Sequence, residues 1–180
     1  MTTLRNKHAS IKGATIRFTF RGKSGVRHAI ELRDRALAKL IRDCQDLPGQ
    51  DLFEYVDDAG AVHAIDSSDV NEYIKSISNG DFTAKDFRTW VGTVQCALLL
   101  AELEPLPTQS ARKRALSDVI CKVASRLGNT PAVCRKSYIH PEIIAAYSEA
   151  GTLGQKIRGK PAKGLLPEER FVVNFLKRRN

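Results

Sequence analysis

Apolar and polar residues alternate between Ala14 and Leu32: Ile16, Phe18 and Phe20, then Val26 and Ile30, either side of GKSG at 22–25. A period of two is what a half-buried strand requires, so this stretch predicts a β-hairpin with Lys23 in or beside its turn. The period then lengthens. Leu32, Ala36, Leu37, Leu40, Ile41 and Cys44 recur at helical spacing until Leu47-Pro48-Gly49 stops them. FEYV at 53–56, DDAG at 57–60 and the run from Val62 to Ile65 predict a short second hairpin.

Beyond that point the pattern is helical. Ser68 opens a helix carrying Val70, Tyr73, Ile74 and Ile77, closed by Asn79-Gly80, and Thr83 caps the next, which runs to about Glu102. Glu104-Pro105-Leu106-Pro107 is a rigid break. Leu116, Val119, Ile120, Val123, Ala124 and Leu127 form an amphipathic stripe that Gly128-Asn129 ends. A short helix starts at Thr130-Pro131, where proline suits a first turn, and leads toward Tyr138; Pro141 opens another through Ile143, Ile144 and Tyr147. The glycine-rich basic tail from Gly151 to Gly164 is predicted mobile, ahead of a last amphipathic helix from Glu168 to Lys177. The expected fold class is α+β and mostly α: a small antiparallel sheet followed by a helical bundle. With 180 residues, 42% of them hydrophobic, a single domain spanning 1–180 is expected.

Charge narrows the choice of partner. The net charge of +9 comes from 29 basic and 20 acidic residues, and it is unevenly placed. Residues 1–30 carry seven basic and no acidic side chains, residues 31–107 seven against fifteen, and the rest is strongly basic again. If the fold joins the two ends, they make one face able to displace counterions from a nucleic-acid backbone; otherwise they are a solvated basic surface.

Cys44, Cys96, Cys121 and Cys134 form no CxxC pair, so neither a zinc site nor a redox motif is signalled. The first three lie in helical apolar patterns, where cysteine is usually a small buried hydrophobe. The opening MTTLRNKHASIKG has no signal-peptide core, and the longest apolar stretch, 94–103, is interrupted by Gln95 and Glu102. That stretch is far too short to span a bilayer. Reduced thiols and a soluble intracellular setting are expected.

Three segments place phosphate chemistry beside rigid anchors: FRGKSG at 20–25, KDFRTW at 85–90 and GNTPAVCRKSYIHP at 128–141. GKSG is not the end of a P-loop, since position 17 is Arg rather than the required Gly and a strand, not a helix, follows the lysine. Taken alone, Lys23 reads as a solvated turn residue, Arg88 as a surface arginine with its stem on an aromatic, and Tyr138 as a half-buried tyrosine. A tyrosine hydroxyl is a poor nucleophile until a neighbouring cation favours the phenolate; Arg135 and Lys136 are its neighbours in sequence.

Taken together and in this order, the segments resemble the catalytic domain of the bacterial and poxvirus-like type IB DNA topoisomerases. The resemblance extends through TTLRNKH at the start, RDCQDLPGQDLFEY from Arg42, SSDVNEYI from Ser67 and SYIHPEI around the tyrosine. It implies that Tyr138 is the nucleophile, Arg88 a clamp on the scissile phosphate and Lys23 the general acid. Asn129 falls where some members carry histidine and bacterial-type members carry asparagine. It also implies a 3′-phosphotyrosyl intermediate, no ATP, no metal or other cofactor, double-stranded DNA as the partner, a monomer, and a bacterial cytoplasmic, nucleoid-associated location.

One family feature has no match. The second active-site arginine lies upstream of the catalytic lysine, farther away than the residues before Lys23 reach, so the chain reads as truncated within the family's catalytic domain. The expectation is weak or absent relaxation by these residues alone, because losing one such donor costs about a hundred- to a thousand-fold in rate. Two rival readings remain. A tyrosine recombinase shares the lysine, arginine and tyrosine logic but commonly carries an HxLRH-like pattern, against KDFRTW here. A DNA-binding fragment without catalysis would fit the charge and the missing arginine. For DNA contact the candidates are Lys7, Arg17, Lys85, Arg135 and Lys136, with affinity that falls steeply with salt.

Overall fold

The computed structural model describes residues 2–22, 25–154, 157, 161 and 164–179. Contacts group the chain into two compact units, Met1–Phe82 and Thr83–Asn180.

In the first unit a three-stranded antiparallel sheet has the order β1-β2-β3, with β1 Ala9–Lys12, β2 Thr15–Arg21 and β3 Arg27–Arg33. The β2–β3 hairpin is the one its alternation predicts. Strand β1 is an addition: Gly13, at φ +62°, turns the chain so that Ile11 pairs with Ile16. Leu32 also differs from expectation, because it pairs with Ile16 as part of β3 rather than opening a helix. The helix α1, Arg35–Gln45, starts only after Asp34, whose Oδ1 accepts from the Leu37 N–H at 2.9 Å. Ala38 and Ile41 of α1 join Ile16 and Phe18 of β2, with Leu4 and Leu52, in one core. The second hairpin forms as predicted from β4, Glu54–Val56, and β5, Val62–Ala64. Helix α2, Ser67–Ser78, is capped by Asp66 and ends on Asn79 in the left-handed conformation at φ +53°.

Among the described residues, the helices of the second unit are α3 Ala84–Ala101, α4 Gln109–Leu127, α5 Pro131–Ser137, α6 Pro141–Ala150 and α7 Pro167–Arg179. The stripe Leu116, Val119, Ile120, Val123 and Ala124 of α4 packs with Val94, Ala97 and Leu100 of α3, Ile143 and Tyr147 of α6 and Val172 of α7. Helix α4 begins well before its apolar stripe. Thr108 caps it through Oγ1, and its polar first turns QSARKR offer no hydrophobic period to read. Arg112 in those turns donates to the carbonyls of Leu106, Pro107, Ser148 and Glu149, joining the break at 104–107 to the end of α6.

Helix α7 docks on this unit at both ends. Its Arg179 pairs with Glu142 and Glu149 of α6 at 2.8 and 3.3 Å, and its Glu169 accepts from the Trp90 indole N–H of α3 at 3.0 Å.

The whole is an α+β, mostly α architecture. No helix among the described residues is long and apolar enough to cross a membrane. All four cysteines are free thiols; Cys96 and Cys134 are buried, Cys44 is half-buried, and Cys121 is exposed rather than buried. Cys121 follows Ile120 on the flank of the α4 stripe, so the turn of the helix carries it to solvent.

Candidate active site

The site residues that the structure describes together lie in the second unit, and α3 organises them. Its first turn is fixed by Asp86, whose carboxylate accepts from both the backbone N–H and the hydroxyl of Thr83, at 2.8 and 2.7 Å. Those two bonds, the hydroxyl foremost, hold the Asp86 carboxyl below its usual range. One turn on, Arg88 projects from an exposed position.

Its guanidinium reaches across to the end of α4, where Nη2 donates to the Leu127 carbonyl at 2.7 Å. That carbonyl is available because α4 closes on Gly128 at φ +67°, with the Asn129 N–H reaching back to Ala124 at 2.9 Å. The Asn129 side chain turns to the same acceptor, Nδ2 lying 3.4 Å from Leu127 O. Arg88 and Asn129, distant in sequence, therefore converge on one carbonyl oxygen. Arg88 also lies over the Tyr138 ring, its Cζ 5.1 Å from the ring centre. A guanidinium carries five donors and Leu127 takes one, so the group can hold a phosphate oxygen while resting on the ring.

Tyr138 is placed by a short helix whose start and end are both set. Thr130 caps α5 through Oγ1, Pro131 occupies the first turn, and the buried Cys134 pins the middle to the core. The Tyr138 N–H closes on the Cys134 carbonyl at 2.9 Å, and the helix ends there. The tyrosine side chain stays half-buried against the core, while the next residue, Ile139, is buried.

Along α3, three further residues meet the tyrosine segment. The single proton of the Thr89 hydroxyl is shared between Lys85 O at 3.1 Å and Ser137 O at 3.3 Å. Thr93, almost fully buried, accepts the His140 N–H at 2.9 Å through Oγ1. Between them Gly92 lies so close that a Cβ there would overlap the Tyr138 carbonyl oxygen. Sequence reasoning missed all three. The available signals were a glycine inside a helix, where it is unfavourable without a packing reason, and a threonine in an apolar run.

The remaining candidates separate. Lys85, Arg135 and Lys136 are exposed on the second unit, and Arg135 lines a cleft of about 590 Å³ with Gln109, Arg112, Lys113 and Ser148. Lys7 and Arg17 are exposed on the first unit, but Arg17 is already engaged with Glu31 at 2.7 Å. Lys23 lies outside the described residues, as do residues 155, 156, 158–160, 162 and 163 of the tail.

The described site is thus an arginine over a tyrosine ring, with an amide side chain at the carbonyl that the arginine also binds. The family model of the catalytic core of eukaryotic DNA topoisomerase I matches residues 1–159, and the chain belongs to that family. DNA topoisomerase 1B of Acanthamoeba polyphaga mimivirus is 30% identical over 154 residues, which cover 82% of this chain and 46% of that protein. The chain thus spans about half the length of the curated relative it matches.

Proposed function

We propose that this chain carries the strand-cleaving centre of a type IB DNA topoisomerase, with double-stranded DNA as substrate and Tyr138 as nucleophile. The observation that supports this most is the Arg88 guanidinium resting on the Tyr138 ring beside Asn129.

Attack of the Tyr138 hydroxyl oxygen on a backbone phosphorus forms a P–O(Tyr) bond, breaks the P–O5′ bond and releases the phenol proton to solvent. One strand is left joined to the protein through its 3′ phosphate, and the other end becomes a 5′ hydroxyl. Negative charge grows on the non-bridging oxygens during this step, and fixed donors from Arg88 and Asn129 stabilise it without reorganising. The departing 5′ oxygen needs a proton, and Lys23 is the proposed donor. The bond energy is kept in the phosphotyrosine, so the freed 5′ end can swivel and re-attack with no ATP and no metal. Lys7, Lys85, Arg135 and Lys136 are the proposed phosphate contacts, with Arg17 contributing once its pairing to Glu31 is exchanged. A monomer in the bacterial cytoplasm, associated with the nucleoid, completes the proposal.

The test is a nicked suicide duplex incubated with the chain and with Tyr138→Phe, followed by denaturing electrophoresis. A covalent adduct that disappears in the variant is the expected result. An adduct that persists in Tyr138→Phe overturns the assignment. So does absence of adduct from both, when it continues after a relative's upstream arginine segment is added.

A further inference from the structure

We infer that Thr89, Gly92 and Thr93 form a rail along α3 that sets the position of Tyr138 for attack, making them positioning residues for strand cleavage. This inference rests on Tyr138 being the nucleophile.

The three residues touch the backbone on both sides of the tyrosine and at the tyrosine itself. Thr89 binds the carbonyl of Ser137, immediately before it; Gly92 abuts the carbonyl of Tyr138; Thr93 binds the N–H of His140, two residues after it. Spacings of three and four put all three on one face of the helix. Arg88 precedes Thr89 on the same helix, so the group that would clamp the phosphate and the groups that place the nucleophile share one rigid body. Their distance is then set by α3 rather than by two independently moving segments.

Each contact has a distinct physical character. Thr93 is the one buried polar residue in the described set, and its oxygen satisfies an N–H that would otherwise go unpaired where α5 gives way to α6. Gly92 acts through what it lacks. Alanine in its place would favour the helix on propensity alone, yet its methyl would push the Tyr138 carbonyl away. Propensity and position thus predict opposite outcomes for that substitution. Thr89 completes the rail at its exposed end.

The test measures single-turnover adduct formation at saturating suicide duplex, alongside duplex affinity and thermal melting, for the parent, Thr93→Val, Thr93→Ser and Gly92→Ala. Valine keeps the shape of threonine and removes the acceptor; serine keeps the acceptor and removes the methyl. The expected result is a rate reduced by tens of fold or more in Thr93→Val and Gly92→Ala, since misplacement by about 1 Å costs about a hundredfold. Serine is expected to return most of the rate, with duplex affinity close to the parent's throughout. Parent rates in Thr93→Val and Gly92→Ala overturn the inference while leaving the proposed function intact. So does a Thr93→Ser protein that is fully folded yet as slow as Thr93→Val. A parent that forms no Tyr138-dependent adduct even after a relative's upstream arginine segment is added overturns the proposed function instead, and the inference with it.

Discussion

Trp90 and Glu169 connect α3 to α7: the indole N–H donates to Glu169 Oε1 at 3.0 Å, while Oε2 of the same carboxylate accepts from the Leu166 N–H at 2.8 Å. The carboxyl is held below its usual range by the Leu166 bond first and the Trp90 bond second. A depressed folded pKa means the contact's stabilisation is fully present above the ordinary glutamate pKa and is lost as pH falls through the lower, folded value. Trp90 is the only tryptophan, so tryptophan fluorescence reports the surroundings of this one ring. Emission is expected to hold steady from neutral pH through the ordinary carboxylate range and to change only below it. Glu169→Ala is expected to show the acid-form spectrum already at neutral pH; an unchanged spectrum in that variant would show that Trp90 does not sense the carboxylate.

Arg88→Ala is expected to lower the single-turnover cleavage rate by about a hundred- to a thousand-fold, the loss typical of one preorganised oxyanion donor. Arg88→Lys should recover little, because an ammonium lacks the planar fork of donors that a guanidinium presents to a phosphate. Duplex affinity should change far less than rate in both variants. Equal losses in the two quantities would assign Arg88 to binding instead.

Thiol chemistry offers a check on the packing around Tyr138. Burial pushes the Cys96 thiol up to about 12 and raises Cys134 as well, so neither offers a thiolate near neutral pH. A maleimide is expected to label the exposed Cys121 quickly, the half-buried Cys44 slowly, and Cys96 and Cys134 only after unfolding. Peptide mapping of the labelled protein reads this directly; early modification of Cys134 would mean that α5 opens in the folded protein.

Stability should depend heavily on the turn that joins the end of α6 to the break at 104–107. Gly151 sits at φ +73° against the Leu106 carbonyl and the Arg112 guanidinium, where no side chain fits. Gly151→Ala and Arg112→Ala are each expected to cost about 2 kcal/mol, through backbone strain in one and lost charged hydrogen bonds in the other. For a unit of this size that is a melting point lower by about 10 °C. Calorimetry that finds either variant as stable as the parent would show that the break at 104–107 is held by other contacts.

Duplex binding should weaken as salt rises, with the logarithm of affinity falling by about 0.9 per logarithm of salt for each phosphate neutralised. Removing Lys85 or Lys136 should reduce that slope. Arg17→Ala should reduce it less, because its pairing with Glu31 offsets part of what a phosphate would gain. A slope near zero for the parent would sink the phosphate-contact assignment.

Local signals carried much of this fold. Thr83, Thr130-Pro131 and Pro141 mark helix starts, and Asn79-Gly80 and Gly128 mark ends, because capping and left-handed closure depend on one or two residues. Strand β1 is illegible because ASIK is too short to establish a period, and Leu32 fits both the alternating and the helical pattern because a strand ends and a helix begins within three residues of it. The Arg88, Asn129 and Tyr138 trio was legible as motifs in order. What the sequence hides is that Arg88 and Asn129 meet at the Leu127 carbonyl, and that Thr93 faces His140, since both depend on how distant helices cross.

The left-handed closure at Gly128 also bears on where this chain can change length. From Gly128 to Tyr138 the path is tied at the Thr130 cap, at the buried Cys134 and at the Tyr138 amide, leaving no slack for an added residue. A single insertion there would rotate the tyrosine about the axis of α5 by roughly 100°, the turn per residue of an α-helix, and carry it off Arg88. The solvent-facing turn at 57–60 between β4 and β5 has no such ties to the core, and lengthening it costs only slowly growing loop entropy. Tags, reporters and natural insertions are therefore tolerable at that turn and excluded from the approach to the tyrosine.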